Sequence, residues 1–192
     1  MYELRIHGRG GQGAVVASKA LAAALFREGK HVQAFPAFGV ERRGAPVTAF
    51  LRVSDGPIQL RCEITEPDGI VILDPTLMKS VDVTQGLRPG GTILINTDRP
   101  AGHYADLTKR FRVSIVDASS IARRLGLGSK TQPIVNTAIL GAFAADSGMV
   151  SLESVCPAIA EAVRTKADQN VEAAREAARS VVRIGKAEAQ HA

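Results

Sequence analysis

Short apolar runs bounded by glycine or proline alternate along this chain with alanine-rich stretches whose larger side chains recur at helical spacing. "YELRIHG" reads as a strand that runs straight into a glycine-rich turn. "AVVASKALAAALFREG" follows, with Val15, Leu21, Leu25 and Phe26 on an alanine background and Gly29 at the expected helix end. "KHVQAFPAFG" predicts a second strand, stopped by Pro36 and Gly39. "APVTAFLRVS" and "PIQLRCEI" predict two more, joined as a hairpin around Ser54-Asp55-Gly56-Pro57. "DGIVILD" and "GGTILINT" are nearly continuous apolar runs, the pattern of strands buried on both faces. "FRVSIVDA" is the last of these, with Asp117, Ser119 or Ser120 placed to cap the next helix. Strands alternating with helices predict an α/β fold: a Rossmann-like, mostly parallel sheet with right-handed crossovers and flanking helices, spanning residues 1–150.

Residues 151–192 lack the strand pattern and read as C-terminal helices packing on the domain or on partner subunits. Before them, "PIVNTAILGAFAAD" predicts a helix from Pro133 to near Gly148. Ser151 is a good N-cap for "SLESVCPAIAEAVR", whose Leu152, Val155, Ile159 and Val163 share a face. Pro157 falls early in that helix or breaks it. A final helix over about 167–188 would carry Val171, Ala174, Ala178 and Val181 on one stripe. So narrow a stripe buries little area, so this helix leans on something larger.

Composition narrows the chemistry. No apolar run approaches the roughly 20 residues that a bilayer span requires. The glycine cluster begins within eight residues of the N-terminus, leaving no room before it for a signal peptide. Both points favour the cytoplasm, or an organelle after removal of a targeting peptide. Cys62 and Cys156 are too few for an iron–sulfur cluster, which takes about four thiolates. The four histidines show no metal-ligand spacing. A net charge of +5 suits anionic ligands or an acidic partner. The absence of Trp, of a long Lys/Arg run and of stacking aromatics argues against nucleic acid.

The glycine turn has the sharpest logic. "RIHGRGGQG" matches G-x-G-x-x-G through Gly8, Gly10 and Gly13. A strand, a glycine turn and a helix N-terminus gather free amides and a positive dipole end at one point, which suits a phosphate. The bland alternative is a tight strand-to-helix turn with no ligand. A dinucleotide site needs Asp or Glu at the end of the second strand, about 20 residues on. Here that strand runs "VQAFPAFG", with Phe and Pro in that place. The loop "FPAFGVERRGAPV" then carries Glu41, Arg42, Arg43 and Gly44 beyond a strand end, where open α/β sheets bind ligands. Arginine forks suit phosphates and carboxylates, while a solvated patch is the plain alternative. Asp74 reads as a turn cap, Asn96 as a turn residue, Arg52 and Arg61 as solvated strand residues and His7 as a packed one.

In order, "GRGGQG", "FPAFGVERRGAPV", "AFLRVSD", "DGIVILD", "GGTILINT" and "NTAILGA" resemble the gamma subunit of 2-oxoacid:acceptor oxidoreductases. The likeness covers about residues 1–160 and is to the pyruvate and 2-ketoisovalerate:ferredoxin branch. The indolepyruvate branch lacks the "ERRGAP" run. The resemblance implies a cytoplasmic hetero-oligomer that oxidatively decarboxylates a 2-oxoacid with coenzyme A, giving acyl-CoA, carbon dioxide and two electrons. Thiamine diphosphate with Mg and the iron–sulfur clusters would belong mainly to other subunits. The partners implied are alpha and beta (thiamine-binding) subunits, a ferredoxin-like delta subunit, and ferredoxin or another acceptor, with neither nucleic acid nor membrane.

Carried over by position, Arg9, Gly10, Gly11, Gln12 and Gly13 would face the active-site cleft. Glu41, Arg42, Arg43 and Gly44 would lie at the same sheet edge, able to meet coenzyme A phosphates or a neighbouring subunit. Asn136 is a further cofactor-binding candidate, with capping of its own helix as the plain alternative. The resemblance assigns this chain no acid, base or nucleophile. Its share would be binding and enclosure of the thiamine site. A free-standing dinucleotide oxidoreductase and a purely structural assembly subunit are the rival readings.

Overall fold

In strand β1 (Tyr2–Arg9), Leu4 and Ile6 point into one core while Glu3, Arg5 and His7 point to the opposite face of the sheet. The computed structural model describes residues 1–37 and 44–184. After the glycine turn comes helix α1 (Ala14–Arg27), which lays its buried Ala17, Leu21, Ala24 and Leu25 on the sheet. It closes with paired bonds from Gly29 N to the Phe26 carbonyl and from Lys30 N to that of Leu25. Phe26, predicted on the apolar face, is instead 69% exposed.

Strands β2 (His31–Pro36), β3 (Pro46–Ser54), β4 (Gly69–Ile72), β5 (Thr92–Asn96), β6 (Arg112–Val116) and β7 (Val182–Ile184) complete a sheet in the order β2-β3-β1-β4-β5-β6-β7. β1, β4, β5 and β6 are mutually parallel, and β2 shares their direction because both it and β1 run antiparallel to β3. β7 is antiparallel to β6. The sheet is thus mostly parallel, as the apolar runs predict. Val71 of β4, Leu73 just after it and Leu94 of β5 enter the core shared with α1, while Ile70, Ile72, Ile93 and Ile95 enter a second core on the other face. That second core is covered by the 3₁₀ turns Pro75–Lys79 and Ala101–Tyr104 and the short α2 (Ala105–Thr108).

Helices α3 (Ala118–Arg124), α4 (Ala138–Ser147), α5 (Leu152–Ala162) and α6 (Ala167–Ser180) return to the α1 face. Asp117 caps α3 by accepting from Ser120 N at 2.8 Å, and Ser151 caps α5. Pro157 lies inside α5 without ending it. α5 packs on α1 and α6 on α4, so the last helix leans on its own chain.

Four expectations about elements are corrected. Residues 57–64 form no strand. Both edges of β3 are already taken by β1 and β2, which leaves no place for a hairpin partner. Instead Leu60 is 44% exposed, and its carbonyl accepts from Gln33 Nε2. α4 opens at Ala138 rather than Pro133, because Pro133 is held in a bridge with Gly128. α6 stops at Ser180, its buried stripe being Asn170, Ala173, Ala174 and Ala177, and the β-branched residues after it pair with β6. Arg52 is not solvated but 1% exposed. The strand register sets Gln33, Arg52 and Glu3 in one row across β2, β3 and β1, so the guanidinium finds Glu3 at 2.8 Å and Gln33 at 3.0 Å.

Among the described residues, no helix is long and apolar enough to cross a membrane.

Candidate functional site

From β1 the chain first builds outward to β2 and β3, then turns back to β4, β5 and β6 on β1's other side. A crevice opens outside the carboxyl ends of strands where such a sheet changes direction, and ligands favour that place. An open cleft of about 940 Å³ occupies it. Arg9, Gly10, Gly11 and Gln12 after β1, Leu73, Asp74 and Pro75 after β4, and Asn96 at the end of β5 form its floor. Ser119 and Arg123 of α3 and the segment Gly128–Val135 close the far side.

Five of the sequence-predicted residues therefore share one wall: Arg9, Gly10, Gly11, Gln12 and Gly44. The root of the "ERRGAP" loop is zipped to the glycine turn, with Gly10 N donating to the Ala45 carbonyl at 2.9 Å and Gly44 N to that of Gly10 at 3.0 Å. Glu41, Arg42 and Arg43 lie outside the described residues. Gly13 and Asn136 sit behind the cleft rather than on it. Gly13 takes a left-handed conformation at φ 82° and precedes α1 as its N-cap. Asn136 is 4% exposed and donates to the Gly13 carbonyl at 3.4 Å, while its Oδ1 has no partner. It braces the turn from behind and does not cap its own helix, which has no side-chain cap.

The start of α1 is chemically open. No side chain caps it, no acidic residue stands in its first turn, and the first helical bond is Ala17 N to the Gly13 carbonyl. The amides ahead of that bond, with the dipole behind them, give an anion-binding end. β2 ends in Phe35 and Pro36, so the carboxylate a dinucleotide ribose would need is missing from the strand end.

Sequence reasoning underrated Asp74 and Asn96. Asp74 does cap its turn, accepting from Thr76 N at 2.9 Å and Thr76 Oγ1 at 2.6 Å. Its other oxygen accepts from Arg9 Nε at 3.0 Å and Gln12 Nε2 at 3.1 Å. Partial burial works to raise its pKa, but the bonds from Thr76, Gln12 and Arg9 outweigh it and hold the carboxyl below its ordinary value. Asn96 donates to the Leu73 carbonyl and to Ser119 Oγ and accepts from Ser119 N, tying β4, β5 and α3 together under the floor. Both lie at the carboxyl ends of buried strands, a positional signal available from sequence.

His7, immediately before Gly8, is packed as expected at 7% exposure. Burial, helped by the nearby Arg5 charge, pushes its pKa down to about 4. Its Nδ1 lies 3.4 Å from Thr48 Oγ1 and its Nε2 has no partner. No group of three or more acidic, histidine or cysteine residues could hold a metal ion among the described residues.

The glycine turn, with no acidic residue at the end of β2, departs from the dinucleotide-binding pattern. A family model described as pyruvate ferredoxin/flavodoxin oxidoreductase matches residues 3–180, and the chain belongs to that family. It is a gamma subunit of a pyruvate or related 2-oxoacid:ferredoxin oxidoreductase complex, and so part of a multi-subunit enzyme. Among its relatives, the pyruvate/ketoisovalerate oxidoreductases common subunit gamma of Thermococcus kodakarensis is 52% identical over 181 residues, covering 92% of this chain and 95% of that one. Pyruvate synthase subunit PorC of Methanocaldococcus jannaschii is 49% identical over 175 residues, covering 91% and 93%. The crystal structure of pyruvate oxidoreductase subunit PORC from Thermotoga maritima superposes with a TM-score of 0.77 at 35% identity, covering 94% of this chain and 97% of that one.

Proposed function

We propose that this chain, within its cytoplasmic complex, supplies one wall of a coenzyme A site and helps to enclose a thiamine diphosphate centre held by its partners. The observation that carries the reading is the uncapped N-terminus of α1, set behind a glycine turn that forms one wall of the cleft at the reversal of the sheet. The residues fit an anionic co-substrate: the first turn brings no carboxylate, and the Asp74 charge is matched by Arg9. Gly11 on the cleft wall, with Gly13 and the positive end of α1 behind it, would favour a phosphate of coenzyme A. Glu41, Arg42 and Arg43 directly precede Gly44 in the sequence and would add charge to the site. Asn136 would hold the turn in shape by its contact with Gly13.

Thiamine diphosphate with Mg, bound by alpha and beta subunits, would supply the carbanion chemistry of decarboxylation. Clusters in a ferredoxin-like delta subunit would carry two electrons to ferredoxin or another acceptor. Balanced overall, a 2-oxoacid and coenzyme A yield acyl-CoA, carbon dioxide, two electrons and a proton. This chain's own residues bind, orient and exclude water, which protects a reactive centre.

Arg43→Ala in the assembled complex tests the reading. It raises the apparent KM for coenzyme A with little change in kcat. Unchanged kinetics would instead mark this chain as a structural subunit. Co-purification with thiamine-binding and cluster-bearing subunits is required in either case.

A further inference from the structure

We propose that Asp74 is a positioning residue: with Arg9 it forms a latch that fixes the glycine turn and Gly44, and neither side chain touches the ligand. The proposal rests on the coenzyme A reading above.

Arg9 lines the cleft, and a cation beside an anion-binding turn invites the assumption that it meets the phosphate directly. Its bonds argue otherwise. Each nitrogen of the guanidinium already donates to the protein, in three directions. Nε reaches Asp74 Oδ2 at 3.0 Å, Nη1 the Gly44 carbonyl at 3.1 Å, and Nη2 Thr76 Oγ1 at 2.9 Å. One planar fork thus joins the ends of β1 and β4 to the start of the segment leading into β3. Gln12 doubles the connection, accepting from Arg9 N at 2.7 Å while donating to Asp74 at 3.1 Å. Asp74 is the hub, since its two oxygens receive four donors from three residues.

Electrostatics points the same way. A carboxylate at the mouth of an anion site repels the ligand, so its presence needs a compensating use. Paired with Arg9 it contributes no net charge, and attraction is left to the amides, the helix dipole and other cations. What the pair adds is geometry. A fork that spans three acceptors cannot be replaced by a lysine's single ammonium.

Asp74→Asn in the assembled complex separates the two roles by sign. If Arg9 were a ligand contact, removing the Asp74 charge would free it and lower the KM for coenzyme A. For a latch, the amide group must set an N–H against a donor from Thr76 or from Arg9 and Gln12, so the turn loosens. The KM then rises about tenfold at nearly constant kcat, as loss of positioning entails. Arg9→Lys, which keeps the charge, gives the same rise. Amide hydrogen exchange across residues 10–13 and 44–45 of the complex speeds up about tenfold in both variants, because turn opening becomes easier. Where Arg43→Ala does raise the KM, an unchanged or lower KM with Asp74→Asn overturns the latch; unchanged exchange overturns it in every case. Thr76→Val removes one partner without touching either charge and gives a smaller rise of the same sign, which keeps the test decisive if Asp74→Asn fails to assemble. If Arg43→Ala and all these variants leave the coenzyme A kinetics untouched, the coenzyme A reading has failed. The exchange rates then decide for or against the latch on their own.

Discussion

Asn136 and Gly13, far apart in the sequence, meet behind the cleft: Asn136 Nδ2 would stand 2.3 Å from a Cβ built on the glycine. Gly13 also holds φ at 82°, a left-handed conformation that costs an L-residue about 1–2 kcal/mol. Gly13→Ala therefore carries two penalties, strain and collision, and destabilises the subunit by roughly 3 kcal/mol. Adding Asn136→Ala removes the collision but not the strain, so the double variant recovers only part of the loss. Thermal unfolding of the four combinations measures the coupling.

A close approach of α4 and α6 makes a second prediction. A Cβ on Gly141 of α4 would fall 1.8 Å from the Ala174 carbonyl oxygen of α6, a backbone atom that cannot turn aside. Gly141→Ala must push the helices apart and costs on the order of 4 kcal/mol, detected as loss of soluble protein or a large fall in Tm. Gly148→Ala is the control: open space surrounds it, and only the left-handed φ of 63° costs it, by about 1 kcal/mol.

The Arg52–Glu3 pair tests the cost of a buried charge. Glu3→Ala strands an almost inaccessible guanidinium and destabilises by about 3–5 kcal/mol. Replacing both residues by apolar ones of similar size, Arg52→Met with Glu3→Leu, falls within about 2 kcal/mol of the parent. Urea unfolding distinguishes these outcomes; equal losses in the single and double variants would show that the pair is not the source of the cost.

His7 gives stability a pH dependence with a defined sign. Its pKa is about 4 when folded, against an ordinary value near 6.5, so between those values the unfolded chain binds the proton and the folded chain does not. Stability from this group is complete above pH 6.5 and is lost as pH falls toward 4, by on the order of 3 kcal/mol. His7→Gln flattens that slope in unfolding measurements between pH 4 and 7, whatever its effect on stability at pH 7.

Much of this architecture is legible in the sequence because its signals are local. "DGIVILD" and "GGTILINT" announce strands buried on both faces, and the glycines of "GRGGQG" announce the turn they form. What escapes depends on neighbours. "PIQLRCEI" alternates like a strand, but pairing requires an edge, and the positions of β1 and β2 remove it from β3. Arg52 looks solvated until the register places Glu3 and Gln33 on either side of it. Asp74 is readable as a cap because its partner Thr76 is two residues away, while its bond to Arg9 spans 65 positions and exists only because β1 and β4 are adjacent. The candidate site divides in the same way. Its backbone is written in glycines, and its latch is written in the strand order.

The insertion of β3 between β1 and β2 also determines when each strand edge finds its partner on a growing chain. β2 and β3 can pair as soon as Ser54 has been made, and β1 joins them from the N-terminal side. β1's other edge stays bare until β4 is synthesised, and the outer edge of β6 waits for β7. Unpaired edges of apolar strands are the surfaces through which nascent chains associate wrongly. Within the described residues β7 spans three positions with the charged Arg183 at its centre, and that charge discourages pairing with a further strand. Among the described residues, the last strand to be made is thus the one that covers β6.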